Sequence, residues 1–201
     1  MADKRLERRD KLRHRLVLAG EKRISLAGLH GLRARDLAED ADCALGALYT
    51  AFENLDDLIL EVNRGTLQRI DHAMTAAVLE KEGARRQLHA LGKAYVIFAK
   101  REPKLWRALF MHQLPESRNW PQWYAEQLER LMAKIAEPLQ ILRGDLSRPE
   151  AMIRARIIFA AVHGLVSISL DKRFVGLPEE NLDQELASFI DGLIDASDRG
   201  K

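Results

Sequence analysis

Cysteine, proline and glycine are scarce in this chain: one, six and twelve in 201 residues. A single cysteine, Cys43, excludes an intramolecular disulfide and fits a reducing compartment. Few prolines and glycines mean few breaks, and no long stretch favours strand over helix. The simplest reading is an all-α protein of about nine helices. Histidines stand at 14, 30, 72, 89, 112 and 163, with neither H-x₃-H nor H-E-x-x-H spacing, so no metal site is expected. No G-x-S-x-G, P-loop or G-x-G-x-x-G occurs either. An enzyme is therefore the weakest reading, and no cofactor is expected. The longest run without charge, Ile157 to Leu170, is too short to span a bilayer, and the charged N-terminus is unlike a signal peptide. We expect a cytoplasmic protein with no membrane partner.

What the chain does have is an uneven charge. Eleven basic residues lie between Met1 and Arg35, against the four acids Asp3, Glu7, Asp10 and Glu21. That surplus of seven leaves the other 166 residues at −5, since the whole chain is +2. A basic head on an acidic body is the electrostatic footprint of a nucleic-acid binder. A solvated helix face would produce the same composition, so the asymmetry supports DNA binding only beside a motif that reads DNA.

The stretch from Gly28 to Leu58 reads as two short helices and a tight turn. Ala34, Leu37, Ala38 and Ala41 recur at three and four on a helix from Arg33 to Asp40. A second helix from Ala44 to Thr50 turns Ala47 and Leu48 inward. Phe52 closes a small core, and Asn54 caps a longer helix whose first turn carries Asp56 and Asp57. A helix-turn-helix of this kind places its second helix in the DNA major groove. Two short amphipathic helices also occur in any helical bundle, so the pattern alone leaves DNA binding open.

The residue string resembles the N-terminal domain of the TetR family of transcriptional repressors over roughly the first 60 residues. The match comprises Gly28, Gly31, Arg35 to Ala38, Ala41, Gly46 to Tyr49, Phe52, and Asp56 to Leu58. The resemblance implies a DNA-binding head at 1–54 and a ligand-binding and dimerisation domain at 55–201. It implies that Tyr49 meets a phosphate, and that Arg33 and Arg35 contact phosphates and sometimes a base. Thr50 is placed to reach a phosphate or base edge, and Asn54 is a further candidate contact. The recognition helix opens with Ala44, Leu45, Gly46 and Ala47. Those side chains offer no hydrogen bond to a base, so specificity leans on Arg33, Arg35, Thr50 and contact with thymine methyls. Lys4, Arg5, Arg8 and Arg9, on an N-terminal basic arm, would supply affinity and salt sensitivity. Three positions depart from the family pattern: Asp42 replaces the turn glycine, Ala51 a histidine or tyrosine, and Leu55 a lysine. The last two changes remove phosphate contacts.

Beyond the head, helices are expected at Leu55 to Lys81, Ala84 to Lys100, Lys104 to His112, Pro121 to Arg143 with a kink or split at Pro138, Ser147 to Lys172, and Glu179 to Ala196. The last two carry strong apolar stripes. Ile157, Ala160, Ala161, Gly164, Leu165 and Ile168 line one; Leu186, Phe189, Ile190 and Leu193 line the other. Burial within the same chain would explain them. The resemblance implies instead a four-helix homodimer interface. The string His163-Gly164-Leu165 also resembles the C-terminal domain of one TetR subgroup.

The middle of the chain is rich in aromatic residues. Trp106, Phe110, His112, Trp120 and Trp123 fall close together in sequence, and Tyr95, Phe98, Phe159 and His163 are candidates to join them. Aromatic stripes are more often core than binding site. The resemblance nevertheless implies a pocket for a small apolar or aromatic effector. The leading reading is a ligand-responsive regulator, a repressor that binds a near-palindromic operator in double-stranded DNA as a homodimer. The rivals are a helical small-molecule-binding or interaction protein with a degenerate head and, behind it, an enzyme using His112.

Overall fold

A computed structural model describes residues 2–79, 81–171 and 175–196. Its described elements are nine α-helices and one 3₁₀ turn, with no strand. In chain order the helices are α1 (Ala2–Ala27), α2 (Ala34–Asp40), α3 (Leu45–Ala51), α4 (Leu55–Val78), α5 (Ala84–Arg101), α6 (Pro103–Met111), α7 (Gln122–Leu142), α8 (Arg148–Leu170) and α9 (Glu179–Ala196); the 3₁₀ turn, Leu29–Gly31, follows α1. The N-terminal basic arm is helical from Ala2 on, as part of α1. Lys172, the expected end of α8, lies outside the described residues.

The chain divides into two compact units. Unit 1 runs to Arg69 and takes in Glu102–Trp120; unit 2 holds Ile70–Arg101 and the chain from Pro121 onward. Unit 1 therefore runs past residue 54. It keeps the first half of α4 and recruits α6, because Leu58, Val62, Leu105 and Ala108 share its apolar core with Leu16, Ile24, Leu37, Leu48 and Phe52. Gly20 lets α1 approach α4 closely: a Cβ there would lie 2.7 Å from Leu58 Cδ2. Polar links tie the same elements. The Arg23 side chain donates to Asp40 (2.6 Å) and Asp36 (3.1 Å), joining α1 to α2. Arg69 reaches both Glu21 (3.0 Å) and Glu102 (3.0 Å), joining α4 to α1 and to the start of α6.

In unit 2, α7 packs on α5 and α8, and α9 on α5 and α8. Of the kink or split expected at Pro138, the split does not occur: α7 is one helix through it, and Pro138 is buried with Ile135, Ala136 and Leu139 on its inner face. Packing of that face offsets the one backbone hydrogen bond that proline removes. The start of α8 is as expected, with the Ser147 N–H donating to the Glu150 carboxylate at 2.8 Å. Gly92 allows α9 to approach α5 closely; a Cβ there would lie 2.5 Å from Ile190 Cδ1.

Asp191 of α9 accepts from Arg85 (2.7 Å) and bonds His89 (2.8 Å), both on α5. Burial works against its charge, but these two hydrogen bonds outweigh it and hold the carboxyl below its ordinary range. A depressed folded-state pKa stabilises above the unfolded value, about 4, and that contribution disappears as pH falls through the folded value. Asp191→Asn should therefore lower the melting temperature at neutral pH, and its gap to the parent should narrow as the pH is taken below the unfolded value. A gap that is constant with pH would refute the ionic role.

Candidate nucleic-acid interface

The helix-turn-helix forms around a small set of apolar side chains. Leu37 and Ala38 of α2 and Leu48 and Ala51 of α3 are buried, and Phe52 follows at 1% exposure. The turn between the helices uses Asp42 at φ 47°, a left-handed conformation that aspartate tolerates. The Cys43 N–H then donates to the Ala38 carbonyl at 2.9 Å, and its side chain packs against the head core. Ala51 and Leu55, which depart from the family pattern, have a structural role here. Ala51 is buried, and Leu55 packs against the same core.

The outer face of α3 is open. Ala44, Leu45, Gly46, Tyr49 and Thr50 are exposed, while Ala47 is partly covered. A Cβ built on Gly46 would meet nothing within 4 Å, so this glycine is not required by packing. Thr50 donates to the Gly46 carbonyl at 3.0 Å and keeps only its acceptor side for another partner. Arg33 is the N-cap of α2, Arg35 lies in its first turn, and both are exposed.

Of the eleven N-terminal cations, Lys11 pairs with Glu7, Arg13 with Glu61 and Arg23 with Asp36 and Asp40. Lys4, Arg8, Arg9, Arg15, Lys22, Arg33 and Arg35 are exposed and make no ion pair among the described residues. The Arg5 side chain lies outside the described residues. Asn54 is not a free contact. Its Oδ1 accepts from the Asp57 N–H (3.0 Å), capping α4, and from Arg118 (3.0 Å). Arg118 also holds Asp57 at 2.6 Å, and His112 holds Asp56 at 3.0 Å. The segment after α6 thus grips the first turn of α4. Sequence reasoning misses this clamp, because its partners stand 56 to 64 residues apart.

The aromatic residues expected to line an effector pocket are divided between the units. Trp106, Phe110, His112 and Trp120 belong to unit 1; Tyr95, Phe98, Trp123, Phe159 and His163 belong to unit 2. Trp106 is 1% exposed, with the Phe110 ring 5.6 Å from its own, and His112 is buried. Phe98 is buried, and Trp123 is half-buried against Tyr124. Tyr95 and Phe159 line a narrow, partly open cavity of about 30 Å³ with Leu91, Gly92, Ile135 and Val162. At its edge the Tyr95 hydroxyl and His163 Nδ1 are 2.8 Å apart, and Phe159 stacks on the imidazole. Burial lowers the His163 pKa and keeps the ring neutral. An apolar cavity that holds benzene measures about 150 Å³. This one admits an aromatic guest only if its walls move.

The two apolar stripes differ in what they leave open. Leu186 and Ile190 are buried within unit 2 and are not available to a second chain. Ile157 (50%) and Ile168 (38%) are exposed on α8, as is Ala160; Ala161, Gly164 and Leu165 are half-buried. Leu165, Phe189 and Leu193 line an open groove between α8 and α9. By length and composition α8 is the one described helix that could cross a membrane. Here its Ala155, Ile158, Val162 and Val166 are buried in unit 2.

Comparison with known proteins agrees with this architecture. Residues 88–193 match the family model described as tetracyclin repressor-like, C-terminal domain. A solved protein of unknown function from Rhodococcus sp. RHA1 is 23% identical, with 92% of this chain and 94% of that chain aligned at a TM-score of 0.74. A TetR-like transcriptional regulator from the same organism is 16% identical, over 94% and 97%, at 0.65. RolR, solved in complex with resorcinol, is 14% identical, over 96% of each chain, at 0.65. No curated protein sequence matches the chain. With more than half of its length inside the family model, the chain belongs to the TetR family, and it has the fold of a TetR-like transcriptional regulator.

Proposed function

We propose that the protein is a ligand-responsive repressor that binds a near-palindromic operator as a homodimer. The observation that carries this is the head: an exposed α3 face on the unit that also holds seven exposed cations with no ion pair among the described residues. Unpaired cations release counterions from DNA, so affinity should fall steeply with salt. Selection of bound sequences from a random duplex pool, repeated at two salt concentrations, tests the reading. A palindromic consensus with salt-sensitive binding supports it. No enrichment, with or without small molecules, would leave an interaction protein with a degenerate head.

Two substitutions divide the work of the head. Arg35→Ala should relax sequence preference, and an unchanged selected-site profile would refute a base contact. Tyr49→Phe should weaken all sites alike by roughly fivefold, the loss of one hydrogen bond worth about 1 kcal/mol.

The effector reading rests on the small cavity in unit 2. Its lining is apolar, and the Tyr95–His163 pair supplies the polar group a phenol or small aromatic acid would meet. Resorcinol, the ligand in the RolR structure, is a reasonable first probe. An effector releases the operator only if it binds one conformation better than the other. Tyr95→Phe should abolish thermal stabilisation by such a compound while leaving operator selection intact. A panel of small aromatics that never shifts the melting curve would remove this part of the proposal.

A further inference from the structure

Unit 2 carries a second concavity, on its surface. It is a trough of about 920 Å³, within the usual range for ligand sites. Its floor is the outer stripe of α5, where Ala90, Ala94 and Ile97 recur at helical spacing and Ile97 is 53% exposed. Ala73, Ala76 and Ala77 of α4 form one wall, and Asp183 and Ala187 of α9 the other. Alanine walls keep the trough wide and make it apolar without filling it.

Its charge is one-sided. Arg86, Lys93 and Arg101 follow each other along α5 at seven and eight residues, roughly 10–12 Å apart. Lys81 stands beyond the N-terminal end of that helix. Lys81 and Lys93 make no ion pair among the described residues. The one acid in the lining, Asp183, is held by Lys100 at 2.9 Å. His89 is taken up by Asp191.

From this combination of an open alkyl-lined floor and two cations, Lys81 and Lys93, that no acid pairs among the described residues, we infer that the trough binds a single-chain anionic amphiphile, an alkyl carboxylate. Lys93 lies inside the apolar stripe, between Ala90 and Ile97. A packed partner helix would bury that ammonium. A narrow alkyl chain lies beside its stem and brings an anionic head to it. Burying each methylene multiplies affinity by up to about fourfold, so chain length is a direct readout.

The test uses the full-length protein and sodium dodecanoate below its critical micelle concentration, followed by titration calorimetry. We expect one site per chain, with decanoate, two methylenes shorter, weaker by about tenfold. Lys93→Glu, an exposed change, should weaken dodecanoate by at least about tenfold, since it turns an attraction into a repulsion. Ala94→Trp, which fills the floor, should abolish binding. Operator selection should be unchanged in both variants, which separates this site from the head. The inference is overturned if dodecanoate does not bind, if Lys93→Glu leaves its affinity unchanged, or if dodecyltrimethylammonium binds equally well. It is also overturned if an acidic amphipathic peptide or self-association occupies the trough in its place.

Discussion

Replacing Trp106 by alanine is expected to cost unit 1 about 3–5 kcal/mol, the usual loss for emptying a buried aromatic site. Trp106 is 1% exposed and packs edge-on to Phe110 on α6. The same helix gives Leu105 and Ala108 to the core that seats α1, α3 and α4. Against a total stability of about 5–15 kcal/mol, such a loss is a large share. The variant should therefore lose operator binding although Trp106 lies in the core, away from the exposed face of α3. Urea denaturation followed by circular dichroism should show the shifted midpoint, and operator retention should fall with it. A normal midpoint with an altered effector response would instead make Trp106 a pocket residue.

That residue shows where sequence reading stops. Trp106, Phe110, His112, Trp120 and Trp123 look like one aromatic cluster because they are close in the chain. The chain passes from unit 1 to unit 2 between Trp120 and Pro121, so closeness in sequence joins residues of different cores. Periodicity says that a face is buried; it does not say in which body. The same limit explains Leu186 and Ile190, which share a stripe with Phe189 and Leu193 but sit in the core. Helix positions are far more legible, because recurrence of apolar residues at three and four is a local signal. The turn is legible too: Asp42 at the place of a glycine implies a left-handed residue, and φ is 47°. Pro138 does not split α7, because the packing of the helix's inner face overrides a local propensity. The Arg118 clamp on Asn54 and Asp57 leaves no local trace, since its partners meet only in three dimensions.

The second large effect concerns the proposed dimer. Ile153 (56%), Ile157 (50%) and Ile168 (38%) are exposed along α8, an apolar surface that a solitary chain leaves in water. Gly164 offers a clean probe of what covers it. A Cβ there would meet nothing within 4 Å, so a side chain can leave the backbone at this point without meeting its own chain. It collides only if a second helix lies against α8. Gly164→Leu should therefore keep the melting behaviour of the separate units and yet halve the mass seen by sedimentation. Ile157→Glu should do the same by setting two like charges against each other across a two-fold axis. Operator affinity should fall by at least about 100-fold in both, because two linked heads gain far more than one from a paired site. A parent protein that sediments as a monomer, or a Gly164→Leu variant that still pairs, would show that α8 is not the dimer face. A monomeric parent that still selects a palindrome would then mean that the DNA itself brings the two heads together.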